Sequence, residues 1–380
     1  MNQPVREWGA RIHSDGYIPT LDGWRAVAVV AVIVCHGSDA VFSRGGVFPS
    51  AFWHELTRYG ALGVDVFFGI SGYLICTKLL EGFDRHGHLS LRSFYLRRAC
   101  RILPPYAMYL MALAAFAWSG WVSIDSRELL SCVFFVRNYV APHSIEGWYT
   151  AHFWSLAVEE HFYLLFPGLL VLATPQRTRW MVAVIVLLLA AWRVLEFRYQ
   201  LVAQLLPDAA FYERTDIRLD ALLLGCWAAL LVSKWRARLT EVFTPAIWSL
   251  AVALFALCVI ATPPLAMLWQ ALLVPAMLVG TTLRPDTAIG RVLEHGSLRW
   301  IGRISYSLYV WQQLFLVGQG APHISALGVW QSWPLNLLAS FGCATVSYYC
   351  IERPMIRVGY RLTGQSVPGR IATTAIGRLA

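Results

Sequence analysis

The sequence contains few charged residues for its length. Asp, Glu, Lys and Arg make up 14% of the 380 residues, whereas they make up about 25% of a typical soluble domain. Hydrophobic residues make up 57%, and the mean hydropathy is +0.53. This composition excludes an ordinary soluble enzyme and predicts a membrane protein.

Paired cysteine motifs, long linkers and visible repeats are also lacking. None of the eight cysteines forms a CxxC pair, and most of them lie within apolar runs. We therefore interpret the cysteines as small core residues and expect no metal site. Without a linker rich in Pro, Gly or Ser, any chemistry must reside in one bundle or in its loops.

Long apolar runs take up most of the chain. A helix needs about 20 apolar residues to cross the hydrocarbon core of a bilayer, so we predict an all-α polytopic membrane bundle of about ten transmembrane helices. The predicted spans lie near residues 24–43, 60–80, 103–121, 152–172, 180–197, 217–233, 245–262, 265–283, 304–319 and 334–351.

The loops between these spans differ in positive charge. If the N-terminus is inside, the inner segments hold most of the 31 Lys and Arg residues, as cytoplasmic loops do. We therefore predict that both termini are cytoplasmic, with an N-terminal segment over 1–20, the transmembrane domain over 21–358 and a basic, mobile tail over 359–380. The net charge of +9 is then a topology signal, and no nucleic-acid partner is expected.

The first apolar run, "LDGWRAVAVVAVIVCHG" at 21–37, contains Arg25 and His36. Eleven residues bring a helical side chain back to within about 20° of its starting direction and about 16 Å further along the axis. Both side chains are therefore predicted on one face, with Arg25 at the cytoplasmic mouth and His36 beyond the midplane. Arg25 alone could be a lipid anchor and His36 alone a core histidine, but ionisable groups at this depth favour a functional path.

Seven motifs in a fixed order carry a family resemblance. They are "LDGWRAVAVVAVIVCH" (21–36), "GVDVFFGISGYLI" (63–75), "SFYLRRACRILPPY" (93–106), "FWSLAVEEHFYLLFP" (153–167), "RLDALLLG" (218–225), "IGRISYSLYVWQQ" (301–313) and "IERP" (351–354). Together they resemble acyltransferase family 3, membrane proteins that O-acylate carbohydrates, peptidoglycan, nodulation factors and macrolides. The resemblance covers residues 20–355.

The resemblance implies an acyl-CoA-dependent O-acyltransferase in a bacterial inner membrane. It would move an acyl group, with acetyl expected, from cytosolic acetyl-CoA to a hydroxyl of a carbohydrate or glycoconjugate acceptor. Acetyl-CoA would be a co-substrate, and no permanently bound cofactor is expected. The expected partners are thus acyl-CoA, the acceptor and the lipid bilayer, and self-association into a homo-oligomer is left open.

Arginines crowd the inner end of the third predicted span. Arg98 and Arg101 share a helical face, and paired guanidinium groups suit phosphate oxygens. The resemblance implies that these two form the RxxR signature of the family. We expect them, with Arg25, to hold the phosphates of acyl-CoA while the pantetheine arm reaches His36. A basic collar that only sets topology is the alternative.

The predicted chemistry centres on His36. It could take the proton from the acceptor hydroxyl as a general base, or carry the acyl group as an acyl-histidine. Asp65 could orient the imidazole or cap its own helix. Glu159 is the third catalytic candidate, but adjacent Glu159 and Glu160 point about 100° apart and cannot form a dyad. One of these glutamates is expected to pair with an arginine of another span.

Other polar residues of the motifs are predicted to bind the acceptor or to hold helices together. We expect Arg218, with Asp216 and Asp220, to form internal ion pairs, and Ser305 and Tyr306 to form hydrogen bonds between helices. The candidates in this class are Trp154, Ser155, Glu160, Arg218, Ser305 and Tyr306.

The chain departs from the family pattern in three ways. Gln312 follows the tryptophan of the motif "YVWQQ", where relatives commonly have histidine, and an amide cannot shuttle a proton at neutral pH. Three interpretations of Gln312 are therefore left open: it has a structural role, it contributes to the acceptor site, or the chemistry of this protein differs from that of its relatives. His161 in "EEHFY" is interpreted as a packing residue. No SGNH-type domain follows, so we expect direct delivery of the acyl group or transfer to a separate protein.

Two further hypotheses remain open at this stage. The outer stretch at 137–155 is rich in polar and aromatic residues, so Tyr139, Trp148 and Tyr149 could stack on sugars or could be interface anchors.

A secondary transporter or flippase of a glycan or small anionic solute would also place ionisable groups at mid-membrane. Transporters often show matching Gly or Pro interruptions in two halves, and no such halves are visible.

Overall fold

The computed structural model describes residues 17–42, 60, 62–87, 89–141, 147–173, 175–262, 265–317 and 327–365. Its regular elements there are helices, which confirms the all-α fold class. The α-helices are α1 (Pro19–Phe42), α2 (Leu62–His86), α3 (Leu91–Trp118), α4 (Ser126–Val133), α5 (Trp148–Ala151), α6 (Phe153–Leu172), α7 (Pro175–Tyr199), α8 (Leu201–Leu205), α9 (Thr215–Val242), α10 (Pro245–Ala261), α11 (Ala266–Leu283), α12 (Ala288–Leu293), α13 (Gly296–Phe315), α14 (Leu335–Ser347) and α15 (Arg353–Leu362). A π-helical turn at Tyr348–Glu352 joins α14 to α15.

The chain is a multi-pass membrane protein. Within the described ranges, six stretches are long and apolar enough to cross a bilayer: Pro19–Gly37, Leu62–Asp84, Leu91–Trp118, Trp148–Leu172, Pro175–Tyr199 and Ala266–Leu283. The stretch Phe211–Val242 with α10 would make a seventh span, bent by 100°. The predicted number of ten and the cytoplasmic position of both termini stay predictions.

The ninth and tenth predicted spans lie on α13 and α14, which do not pass the same test. On α13 the reason is polarity, since this helix carries Arg299, Arg303, Gln312 and Gln313. The predicted terminal segments, 1–20 and 359–380, lie largely outside the described residues, and α15 ends at Leu362.

The centre of the bundle is formed by α1, α2, α9 and α13, with α1 packed on α13 and α2 packed on α9. Small residues allow the second pair to approach closely, as in other membrane bundles. A Cβ added at Gly72 would collide with the Leu222 carbonyl, and one at Gly225 would collide with the Gly69 carbonyl. The thiol of Cys226 donates a hydrogen bond to the Gly72 carbonyl at 3.2 Å. These contacts fix the position of α2, which carries part of the site described below.

Candidate active site

A cavity of about 690 Å³ lies between α1, α2, α3, α6 and α13. Apolar residues form much of the wall, and the polar part of the lining is made by Arg25, Ser71, Arg98, Arg101, Ser155, Glu159, Tyr163, Ser305, Tyr306 and Tyr309. Seven of the residues that the sequence predicted for the site therefore meet in one space.

The three arginines predicted to bind phosphates line this cavity together. Arg25 comes from the second turn of α1, whereas Arg98 and Arg101 come from α3. The guanidinium of Arg25 lies 3.2 Å from the carboxylate of Asp22. Arg98 lies over the ring of Tyr163, 4.2 Å from its centroid. The cavity thus has a wall with three positive charges, one of which is paired with an acidic side chain.

Asp22 is itself oriented by Tyr17, which precedes the first span. The Tyr17 hydroxyl donates to its carboxylate at 2.5 Å. Burial and the nearby charge of Asp22 raise the pKa of the Tyr17 phenol, which keeps the hydrogen on this donor. The contact with Arg25 is therefore part of a short chain of hydrogen bonds.

Glu159 lies in the same cavity and is held by hydroxyl groups. It accepts hydrogen bonds from Ser71 at 2.7 Å and from Tyr163 at 2.9 Å. In the described part of the chain neither Glu159 nor Glu160 forms an ion pair with an arginine, so this expectation was wrong. The physical reason is that Glu159 is already satisfied by two hydroxyl donors, while Arg98 stacks on Tyr163.

His36 lies beyond the outer end of the cavity. Its Nδ1 atom is 3.1 Å from Oε1 of Gln312, and its ring meets the Trp148 ring edge to face at 5.4 Å between centroids. Because an amide oxygen only accepts hydrogen bonds, Nδ1 carries the hydrogen and Nε2 is left as the basic atom. Gln312 is the residue whose role sequence reasoning left undecided, and its departure from the family pattern was the available signal.

Two residues that line the cavity are hydrogen-bonded to each other. The hydroxyl oxygens of Ser155 and Tyr309 are 2.6 Å apart. Tyr309 also donates to the carbonyl of His152 at 2.8 Å. Since Gln312 follows Tyr309 by about one helical turn on α13, His36 lies roughly one turn past this pair. The arginines and the Ser155–Tyr309 pair thus line the same cavity, and the path from there to His36 stays a prediction.

Asp65 is placed against Arg218 instead of His36. Its carboxylate lies 2.5 Å from the Arg218 guanidinium. That guanidinium also lies between the rings of Phe68 and Trp154, 5.6 Å from each centroid. The orienting contact that we allowed for Asp65 is therefore made by Gln312, and a catalytic role of Asp65 stays a prediction.

The predicted internal ion pairs of the motif at 218–225 and its neighbours are confirmed. Arg193 of α7 lies 2.7 Å from Asp220 of α9. Asp216 pairs with Arg214 at 2.5 Å, and Arg214 also pairs with Glu196 at 2.6 Å. Sequence reasoning missed Arg193, Arg214 and Glu196 because it assigned the two arginines to the outer side, where a positive charge needs no partner.

The remaining candidates have structural contacts. Tyr306 donates to the Ile102 carbonyl at 2.8 Å, which confirms a hydrogen bond between helices. Ser305 is buried and lines the cavity. His161 shares a hydrogen bond of 2.7 Å with Thr215, as expected for a packing histidine. Glu160 lies on α6 outside the cavity lining.

The outer stretch at 137–155 is organised by buried residues. Arg137 is 1% exposed and donates to Thr150 at 3.1 Å and to the Val140 carbonyl. Tyr149 is 0% exposed, so it cannot stack on a sugar, and that part of the prediction was wrong. Residues 142–146 of this stretch lie outside the described residues. Among the residues described, no group of three or more His, Cys, Asp or Glu side chains could hold a metal ion.

Comparisons with known proteins identify the family of this chain. The family model described as "Acyltransferase domain" matches residues 18–352. The chain belongs to this acyltransferase family. No solved structure matches it.

Three curated relatives show what this family member is similar to. The chain is 30% identical to the "Putative peptidoglycan O-acetyltransferase YrhL" of Bacillus subtilis, over 91% of this chain and 56% of the relative. It is 26% identical to the "Peptidoglycan O-acetyltransferase OatA" of Listeria monocytogenes, over 92% and 57%. It is 27% identical to the "Putative O-acetyltransferase SACOL0978" of Staphylococcus aureus, over 91% and 58%. The chain therefore spans little more than half the length of these relatives.

Proposed function

We propose that this protein is an acyl-CoA-dependent O-acyltransferase of the bacterial inner membrane. It moves an acetyl group from cytosolic acetyl-CoA to a hydroxyl of a sugar-containing acceptor. The observation that supports this function best is the cavity, which combines three arginines with an apolar wall and includes Tyr309, about one helical turn before the residue that contacts His36. The names of the relatives, which are peptidoglycan O-acetyltransferases, support the acyl group and the acceptor class.

The arginine wall suits the nucleotide end of acetyl-CoA. Within the described residues neither Arg98 nor Arg101 forms a salt bridge, so their guanidinium forks are available for phosphate oxygens. Arg25 is held toward the cavity by Asp22. With the N-terminus in the cytoplasm, this wall faces the side of the membrane where acetyl-CoA is made.

The thioester of acetyl-CoA reaches the outer end of the cavity. There Ser155 and Tyr309 form the hydrogen bond that closes the path to His36. Rotation of the Tyr309 side chain breaks this bond and admits the acyl group. No cofactor is needed for the step, and acetyl-CoA is consumed as a co-substrate.

His36 then removes the proton from the acceptor hydroxyl. The oxygen of the acceptor attacks the thioester carbonyl carbon while Nε2 of His36 takes the hydroxyl proton. The tetrahedral intermediate collapses, the carbon–sulfur bond breaks, and the proton passes from His36 to the departing thiolate of CoA. An acyl-histidine route uses the same atom as nucleophile and releases CoA before the acceptor reacts.

The test uses wild-type protein and His36→Ala in membranes supplied with radiolabelled acetyl-CoA. We expect CoA release and labelled acceptor from the wild type, and neither product from His36→Ala. His161→Ala is the matched control, because this histidine packs against Thr215, and it should keep wild-type turnover. Full turnover by His36→Ala would remove this histidine from the mechanism.

Two further outcomes separate the alternatives. Without acceptor, label that is bound to the wild type but not to His36→Ala, and that is lost on brief acid treatment as expected for an acyl-imidazole, would support the acyl-histidine route over direct transfer. Flux of a glycan or small anion across sealed vesicles, without any acetyl-CoA consumption, would indicate a transporter and refute the proposed function.

A further inference from the structure

The Gln312 side chain is completely buried and has only half of its hydrogen-bonding groups occupied. It is 0% exposed on α13, where Oε1 accepts from Nδ1 of His36 at 3.1 Å. Its Nε2 atom has no hydrogen-bond partner within the described residues. A buried amide donor without a partner costs free energy, so its retention beside the reactive histidine needs an explanation.

Other buried glutamines of the protein use their amide donors. Nε2 of Gln313 donates to the Trp148 carbonyl at 2.7 Å. Nε2 of Gln331 donates to the Tyr149 hydroxyl and to the Leu314 carbonyl, both at 3.0 Å. Gln312 therefore differs from these two glutamines, although Nε1 of Trp311 and Nδ2 of Asn336 on the same and the neighbouring helix are also buried donors without a partner.

We propose that Gln312 is a bifunctional residue of the transfer step, acting on His36 through Oε1 and on the acyl carbonyl through Nε2. This inference rests on the proposed O-acyltransferase function. When the acceptor oxygen attacks, the thioester carbonyl oxygen becomes negatively charged, and the free N–H of Gln312 donates to it. The new carbon–oxygen bond then remains, the carbon–sulfur bond breaks, and CoA leaves with the proton that His36 had taken.

The two roles follow from the geometry of one amide. The contact through Oε1 holds the hydrogen on Nδ1 of His36, so that Nε2 of the ring is the atom that accepts the acceptor proton. The amide nitrogen is bonded to the same carbon as Oε1, so it lies beside the imidazole. A donor fixed in a site that excludes water stabilises a developing oxyanion more strongly than it would in water.

The experiment compares Gln312→Met, which removes both groups, with Gln312→Glu, which keeps the acceptor oxygen for His36 but replaces the donor. Gln331→Met is the matched control, because it deletes a buried amide that does not contact His36. For each purified protein, kcat and KM are measured with acetyl-CoA, and folded protein is quantified by size-exclusion chromatography.

We expect Gln312→Met to lower kcat by about 10²–10³-fold, the usual loss on removal of one oxyanion donor, with KM for acetyl-CoA changed by less than about threefold. Gln312→Glu should lie between Gln312→Met and the wild type. Gln331→Met should keep the wild-type kcat. If Gln312 had only a structural role, Gln312→Met would instead lower the amount of folded protein, and kcat would not fall selectively while KM stays nearly unchanged.

Each other outcome has a definite meaning. Wild-type kcat in Gln312→Met, or a loss confined to KM, overturns the inference, and full activity of Gln312→Glu overturns the donor role. If Gln312→Met does not fold, the kcat of the nearly isosteric Gln312→Glu tests the donor role. Loss of folded protein in both variants would show that Gln312 has a structural role, which overturns the inference. Absence of wild-type turnover refutes the proposed function and this inference together, whereas active wild type with unaffected variants refutes the inference alone.

Discussion

The carboxylate of Asp65 lies 2.5 Å from the guanidinium of Arg218, and this ion pair joins the first turn of α2 to the first turn of α9. The side chains are only 9% and 11% exposed. The pair is thus largely removed from solvent. In such a buried position, loss of one partner leaves an uncompensated charge.

Removal of either charge of this pair should destabilise the bundle. We expect Asp65→Leu and Arg218→Met each to cost about 3–5 kcal/mol, because the remaining charge is buried and loses its directly contacting partner. The double variant should regain much of that loss. Thermal unfolding of the purified protein in detergent measures the effect. Additive losses in the double variant would show that the two side chains do not interact energetically.

The close contact of α2 with α9 supports a second prediction. A Cβ at Gly225 would collide with the Gly69 carbonyl and would lie 2.9 Å from the Tyr73 nitrogen, and backbone atoms of packed helices cannot move aside cheaply. Gly225→Ala should therefore lower the melting temperature and the yield of folded protein.

The matched control for this variant is Gly82→Ala on α2. A Cβ at Gly82 would meet nothing within 4 Å, and alanine is preferred over glycine in a helix by about 0.5–1 kcal/mol. This variant should be as stable as the wild type or slightly more so. Equal losses at the two positions would mean that α2 and α9 do not pack as closely as the structure shows.

Local patterns in the sequence predicted much of the site because they report on helical faces. The spacing of Arg98 and Arg101 put both side chains on one face of α3, and both line the cavity. Apolar runs located the helices for a similar reason, since each span must be hydrophobic along its own length. That Arg218 and Asp220 would form ion pairs followed from the rule that buried charges are paired, but the sequence did not identify their partners.

Contacts between distant segments could not be predicted in this way. His36 and Gln312 are 276 residues apart in the sequence, so no local periodicity relates them. Arg193 was counted as an outer loop charge, but it is buried on α7 against Asp220. A count of positive residues does not distinguish a charge neutralised by an ion pair from one that faces lipid headgroups.

The predicted orientation can be tested with reporter fusions. Alkaline phosphatase is active only outside the cytoplasm, and cytoplasmic loops hold the excess of Lys and Arg. We expect a fusion after Gly87, between α2 and α3, to be inactive and a fusion after Gly120, beyond α3, to be active. Green fluorescent protein at the C-terminus should fluoresce. The reverse pattern at the two glycines would invert the topology and place the arginine wall outside.

Glu159 offers a test of its role in the cavity. Its contacts with Ser71 and Tyr163 need an acceptor oxygen, which glutamine also supplies. Removal of a negative charge beside three arginines should strengthen the attraction of the cavity for a polyanionic donor. We therefore expect Glu159→Gln to fold normally, to lower KM for acetyl-CoA and to keep kcat within about tenfold of the wild type. A loss of kcat as large as that of His36→Ala would instead assign proton transfer to Glu159.

The arginine pair of α3 should determine the affinity for the donor. Hydrogen bonds to charged groups contribute about 1.5–3 kcal/mol each, so Arg98→Ala/Arg101→Ala should raise KM for acetyl-CoA by about 100-fold or more and leave kcat at saturation nearly unchanged. The neighbouring Arg97 is the control, because it lies 5.8 Å from the Tyr360 ring and outside the cavity lining. Arg97→Ala should keep the wild-type KM.

A shorter donor separates phosphate binding from a general effect of these arginines. Acetyl-pantetheine carries the thioester but lacks the nucleotide phosphates, so the wild type and Arg98→Ala/Arg101→Ala should use it with the same kcat/KM. With acetyl-CoA, the KM of the double variant should exceed that of the wild type by the factor of about 100 or more given above. If the double variant loses activity equally with both donors, the arginines do not bind the nucleotide phosphates, and the proposed position of acetyl-CoA in the cavity is wrong.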